Sequence, residues 1–177
     1  MLHRWLVWLS CAAWALILPT ARPQNSDGRS LNRIAREVRH ELLTLPYYGV
    51  FDNLAFRVDG RTVTLFGQVT RPSLKSDAER AVTSIEGVQA IHNELEILPL
   101  SPMDDRIRLA VYTATYGQPF LQQYALRAVP PVHILVKNGN VTLEGVVDNQ
   151  MDKTVFFTQA SAVPGVFSVT NRLQVAS

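Results

Sequence analysis

The sequence predicts an α+β protein of two tandem αββαβ domains, each a small three-stranded mixed sheet packed against two helices. Three observations carry that expectation. A gapless internal repeat spans the middle and end of the chain. Helical and strand periodicities follow one another in the same order within each copy. The composition also suits a folded chain, with 47% hydrophobic and 18% charged residues among 177. That charged fraction is too low for a disordered polyelectrolyte. A net charge of +2 gives no sign of a nucleic-acid partner.

Residues 1–24 read as a secretory signal peptide. Met1 to Arg4 form a basic start and Trp5 to Leu18 a mostly apolar run, and Pro19-Thr20-Ala21 supplies small residues for cleavage. A membrane-spanning helix needs roughly 20 apolar residues, so a removed signal is expected rather than a permanent anchor. Pro19 departs from the usual A-x-A cleavage pattern, which leaves the cut site open. Cys11 follows Trp8-Leu9-Ser10, which does not suit a lipidation box. Cleavage after Ala21 leaves 16 basic and 15 acidic residues, with no Cys and no Trp. Thiol catalysis and Cys-ligated metal sites are thereby excluded from the mature chain.

The repeat organises the remainder into residues 25–98 and 99–177. Val58, Val63, Thr64, Leu65, Gly67, Val69, Lys75, Gly87, Val88, Asn93 and Leu95 recur 78 residues later as Val136, Val141, Thr142, Leu143, Gly145, Val147, Lys153, Gly165, Val166, Asn171 and Leu173. Two copies are too few for a solenoid. In the first copy, Leu31, Ile34, Ala35, Val38 and Leu42 share a helical face. Leu54, Phe56 and Val58 alternate as a strand, Asp59-Gly60 turns, and Val63, Leu65 and Val69 continue a second strand. Pro72 suits the first position of the next helix, which buries Leu74, Ala78, Ala81, Val82 and Ile85 and which Gly87 is expected to terminate. Val88 to Ile97 alternates as the third strand.

The second copy follows the same plan. A helix is expected near Pro102 to Tyr116, with Ser101 and Asp104 resembling a capping box. Strands follow from His133 to Val136 and from Val141 to Val147. A second helix runs from about Gln150 to Val163, and a third strand from Val166 to Val175. The first of these helices is apolar on two faces. A 78-residue offset would bury Leu109, Tyr112 and Tyr116; an offset of 76 would bury Ile107, Ala110 and Val111. Either leaves a surplus apolar stripe, open to packing on the other copy, to a partner, or to a membrane interface beside Arg106, Arg108 and Arg127.

Val63-Thr64-Leu65-Phe66-Gly67-Gln68-Val69 with Gly87-Val88-Gln89-Ala90-Ile91-His92-Asn93-Glu94-Leu95, and their counterparts at 141–147 and 165–173, resemble the BON domain (bacterial OsmY and nodulation). The resemblance covers nearly the whole mature chain. It implies tandem αββαβ domains in a bacterial, often periplasmic, envelope protein that is not an enzyme. It also implies phospholipid binding, membrane maintenance and a place in envelope stress.

Gly67, Gly87, Gly145 and Gly165, with Asn93 and Asn171, are read as structural motif residues, because a strand Gly marks a bulge or close backbone approach and Asn bonds local backbone. Candidates for contact with lipid or a partner are Arg33 and Arg36 on the first helix and Tyr47 and Tyr48 in an aromatic loop. Arg108, Tyr112 and Tyr116 are the candidates in the second copy. Arg33 and Arg36 stand among Glu37 and Glu41, so a solvated mixed-charge face is the competing reading. No catalytic residues, cofactor or metal are expected: His40, His92 and His133 lack ligand spacing, and no G-x-S-x-G elbow, phosphate loop or dinucleotide fingerprint occurs. Asp104, Asp105, Asp148 and Asp152 read as helix N-terminal carboxylates. The functional expectation is peripheral binding to an anionic phospholipid surface in the periplasm, with an envelope protein–protein adaptor using the same surface as the alternative.

Overall fold

The computed structural model of the chain describes residues 26–127 and 129–176, and the signal-peptide reading lies outside the described residues. In the first repeat, α1 (Ser26–Leu43) turns Ile34, Val38 and Leu42 inward at four-residue spacing. β1 (Asn53–Asp59), β2 (Thr62–Val69), α2 (Pro72–Thr83) and β3 (Ala90–Ile97) follow. The second repeat comprises α3 (Pro102–Tyr116), a short α4 (Gln122–Ala125), β4 (Val132–Lys137), β5 (Asn140–Val147), α5 (Gln150–Ser161) and β6 (Ser168–Val175).

Each repeat forms its own three-stranded mixed sheet, ordered β1-β2-β3 and β4-β5-β6. The first pair is antiparallel and the second parallel in both. Phe56 faces Leu65 across β1 and β2 as Ile134 faces Leu143 across β4 and β5, so the strands keep the 78-residue offset. Alternation places Val63, Leu65 and Val69, and likewise Val141, Leu143 and Val147, against the helices. The two cores are separate clusters, with Val50 and Phe51 of the first repeat packed against the second. Among the described residues no helix is long and apolar enough to cross a membrane.

The first helices do not keep the offset of the strands. Gly87 lies against Ile34, and Gly165 against Ile107, a shift of 73. Ile107, Val111 and Thr115 thus take the places of Ile34, Val38 and Leu42, and all are buried. Neither 78 nor 76 holds: Leu109 is 59% exposed and Ala110 is exposed. The difference is absorbed by a longer link before β4, where α4 buries Tyr124. That short helix carries no apolar periodicity that could have announced it.

One local expectation is extended and another corrected. Ser101 Oγ accepts the Asp104 N–H at 3.2 Å, as a cap should. The Asp104 carboxylate, however, accepts from the Asn138 and Gly139 N–H groups at 2.9 and 2.8 Å and so fastens the β4–β5 turn to α3. The correction concerns Gly87, which does not end α2. The helix stops at Thr83 with Ser84 as its cap, and Gly87, at φ 98°, turns the chain toward β3.

Candidate functional site

The repeated motif residues hold the fold. Gly67 and Gly145 have φ of 122° and 127°, and a Cβ at either would overlap a carbonyl oxygen, of Asn53 or Pro131 respectively. Asn93 Nδ2 donates to the Lys75 carbonyl at 3.1 Å, and Asn171 Nδ2 to the Lys153 carbonyl at 3.1 Å. Each Asn Oδ1 accepts the N–H two residues on, at 3.2 and 3.1 Å. Each therefore ties its third strand to its second helix, which accounts for the repetition without a ligand.

Two candidate contact residues lie inside the fold. Arg108 is 4% exposed; its guanidinium donates to the Val136 carbonyl at 2.8 Å and pairs with Asp105, while Nε has no partner among the described residues. Tyr116 is equally buried and donates to the Val132 carbonyl at 2.6 Å. Burial, reinforced by Tyr112, pushes its hydroxyl well above the ordinary value. Neither side chain is available to a surface, because the helix register turns both toward β4. Tyr112 is half-buried, in edge contact with Phe51 and tilted against Tyr116.

The aromatic loop forms the joint between the repeats. Asp52 accepts from Thr70 N–H and Oγ1–H at 2.7 and 2.8 Å, and from the Gly49 N–H at 3.3 Å. Thus pinned, the loop lays Val50 beside β4, where its carbonyl accepts the Ile134 N–H at 2.7 Å. Tyr48 stacks on His133 with centroids 5.6 Å apart. Because the Gly49 carbonyl, 3.3 Å from His133 Nδ1, can only accept, Nδ1 carries the proton and Nε2 faces the Tyr48 hydroxyl at 3.4 Å. Burial holds the imidazole below its ordinary value, against the Gly49 carbonyl and the Asp52 carboxylate. Burial likewise pushes Tyr48 up to about 12. Lys137 reaches across to Glu96, whose carboxyl is held low mainly by that bond. β4 is consequently buried on both faces, something the alternation of its sequence does not show.

The remaining candidates stand apart from one another. Arg33 pairs with Glu37 at 3.0 Å and donates to the Glu86 carbonyl at 3.1 Å. Arg36 is exposed. Tyr47 is 69% exposed, with the Arg71 guanidinium 4.7 Å above its ring. Another surface emerges around the loop between α5 and β6. Phe167 is 82% exposed, Leu109 59% and Met103 47%. Met103 touches Gly165, and Leu109 lines a 620 Å³ cleft with Ala110, Val163 and Pro164. Arg106, exposed, reaches the Met103 sulfur at 3.5 Å. Phe167 shares the parity of Val169, Asn171 and Leu173, the inward positions of β6, so alternation would bury it; it stands one residue before the strand begins and is exposed instead. Among the described residues no group of three or more His, Cys, Asp or Glu is placed to hold a metal.

Paired αββαβ units with marked strand glycines, joined by a structural loop, define a tandem modular protein. The family model for the BON domain matches residues 30–99 and 120–177, and the chain belongs to that family. It is 29% identical over 124 residues to "Osmotically-inducible protein Y" of Escherichia coli (strain K12), covering 69% of this chain and 61% of that protein. Two structures of CdsD, a structural protein of the type III secretion system of Chlamydia trachomatis, overlay 82% and 80% of this chain and 94% and 96% of theirs. Their identities are 13% and 12% and their TM-scores 0.30 and 0.28, too low to bear on function.

Proposed function

We propose that this protein is a non-enzymatic envelope protein that binds anionic phospholipid surfaces peripherally, through the apolar end of its second repeat, in osmotic or envelope stress. The observation that carries the reading is the exposed set Met103, Leu109 and Phe167 beside Arg106. Isolated exposed apolar residues need no explanation, but several around one loop mark an interaction surface. The side chains suit shallow insertion among headgroups, and a nearby Arg contributes about 1 kcal/mol toward an anionic surface. The family supports the setting, as does the osmotic induction named in the Escherichia coli relative.

The test is co-sedimentation of the purified protein with vesicles of anionic and of zwitterionic phospholipid. Leu109→Asp/Phe167→Asp is expected to reduce the bound fraction on anionic vesicles about tenfold, since loss of two insertions exceeds 1.4 kcal/mol. Arg33→Ala/Arg36→Ala is expected to leave most binding in place. Absence of binding by the wild type would reject the lipid reading and favour an envelope protein as the occupant of this surface.

A further inference from the structure

The edge of the first strand is treated differently in the two repeats. The helix offset of 73 puts Ala35 and Leu43 where Arg108 and Tyr116 stand in the second repeat. There the two long side chains cross to β4 and donate to the outward carbonyls of Val136 and Val132, at 2.8 and 2.6 Å. The strand offset of 78 makes Val58 and Leu54 the corresponding residues of β1. Ala35 and Leu43 have no side-chain donor to offer them.

What remains is an apolar cleft between α1 and β1. It measures 430 Å³, and its lining includes Ala35, Arg39, Leu43, Tyr48, Leu54 and Phe56. The alternation that turns the Ile134 N–H away from β5 turns the Phe56 N–H and carbonyl away from β2. Tyr48 Oη takes the Leu54 N–H, but no strand pairs with β1 on this side. Edges of this kind are ordinarily blunted by a Pro, a bulge or a Lys. β1 contains neither Pro nor Lys, and its register with β2 runs unbroken from Asn53 to Asp59. Its one cation, Arg57, is paired with Asp59.

Two features narrow the occupant. A lipid chain would fill the apolar cleft and leave the main-chain donors and acceptors unmet, whereas an extended peptide meets both. The rim is also cationic. Arg36 and Arg39 are both exposed on α1, and neither makes an ion pair among the described residues. Glu37 beside them is held by Arg33 at 3.0 Å.

We propose that the cleft between α1 and the β1 edge binds an extended acidic peptide segment, which adds to the sheet as a strand beside β1. An apolar side chain of the segment enters the cleft, and an Asp or Glu two residues away meets Arg36 and Arg39. That spacing follows from the strand period, since residues i and i+2 share a face. The site is independent of the membrane contact on the second repeat, so either stands if the other fails.

The probes are fluorescent heptapeptides of the pattern Asp-Thr-x-Thr-x-Thr-Asp, with x Val, Leu or Phe and both ends blocked, titrated with the protein and read by anisotropy. Saturable binding is expected. Arg36→Glu/Arg39→Glu should weaken it about tenfold, because two exposed attractions become two repulsions. Probes with Lys in place of Asp should bind the wild type poorly and regain affinity for that variant. Leu43→Asp, at a position 47% exposed, places a like charge in the cleft and should also weaken binding. Probes N-methylated at every second amide, made in both phases, should lose binding in the phase that faces β1. Amide hydrogen exchange reads the edge itself: the Phe56 N–H should exchange faster than the Ile134 N–H in the free protein and slow with the probe bound. Circular dichroism checks the fold of each variant. The proposal is overturned if no probe binds saturably, if binding survives both charge reversal and N-methylation, or if saturating probe leaves Phe56 exchange unchanged. Saturable binding of laurate where the peptides fail would likewise overturn it, assigning the cleft to a lipid chain.

Discussion

Arg108 is a cation held inside the second repeat by one carbonyl and a mostly exposed carboxylate, with Nε unpartnered. Desolvation of a buried charge offsets much of what its contacts return. Arg108→Met, of similar bulk and uncharged, is therefore expected to fold with stability within about 1 kcal/mol of wild type. Arg108→Ala is expected to lose about 2–4 kcal/mol by opening a cavity. Urea denaturation separates the two, and vesicle binding by either folded variant should be unchanged. A second contrast concerns glycine. At Gly145, φ 127° and the Pro131 carbonyl exclude a side chain, so Gly145→Ala is expected to cost about 2–3 kcal/mol. Gly28 sits in α1 with open space around it, and Gly28→Ala is expected to stabilise by up to about 1 kcal/mol. A common denaturant series on the two variants checks both signs.

The element that decides the arrangement is the loop of residues 44–52, pinned by Asp52 to Thr70 and laid along β4. His133 makes this joint sensitive to pH. Its folded pKa lies below the ordinary 6.5 because burial disfavours the cation. The unfolded chain then binds more protons, so stability is full above about 6.5 and falls as pH drops through that value toward the folded pKa. His133→Gln, neutral throughout, is expected to flatten stability against pH between about 7 and 5, where ordinary carboxylates remain ionised. Denaturant midpoints at several pH values measure the slope, and an unchanged slope would remove His133 as its cause. The strand–helix–strand half of each repeat was legible because strand alternation, Pro72 and paired glycines each leave a local signature. The register of α3 was not. Its two apolar faces satisfy two different demands, the core through Ile107 and Val111 and the joint through Tyr112 against Phe51. Only the distance to β4, lengthened by α4, decides between them. Arg108 and Tyr116 were misplaced for the same reason: side-chain type suggests a surface, while register sends both to the β4 edge.

On the scale of the whole molecule, the second repeat carries the exposed apolar set Met103, Leu109 and Phe167. The near-neutral charge provides little long-range attraction to an anionic surface. Attachment should therefore depend on local insertion and fall only modestly with salt, about one Debye-screened Arg's worth. Three Trp stand at positions 5, 8 and 14, so the chain from Asn25 onward has none. A Trp placed at Phe167 in that chain is consequently a sole emitter at the proposed contact. A Trp placed at His92, exposed on the sheet of the first repeat, reports on a surface away from it. The measurement that tests the central claim most directly is emission from each on titration with anionic vesicles. Phe167→Trp is expected to shift to the blue on vesicle addition, with His92→Trp unmoved. An unmoved Phe167→Trp, or equal shifts at both positions, would contradict insertion through the second repeat.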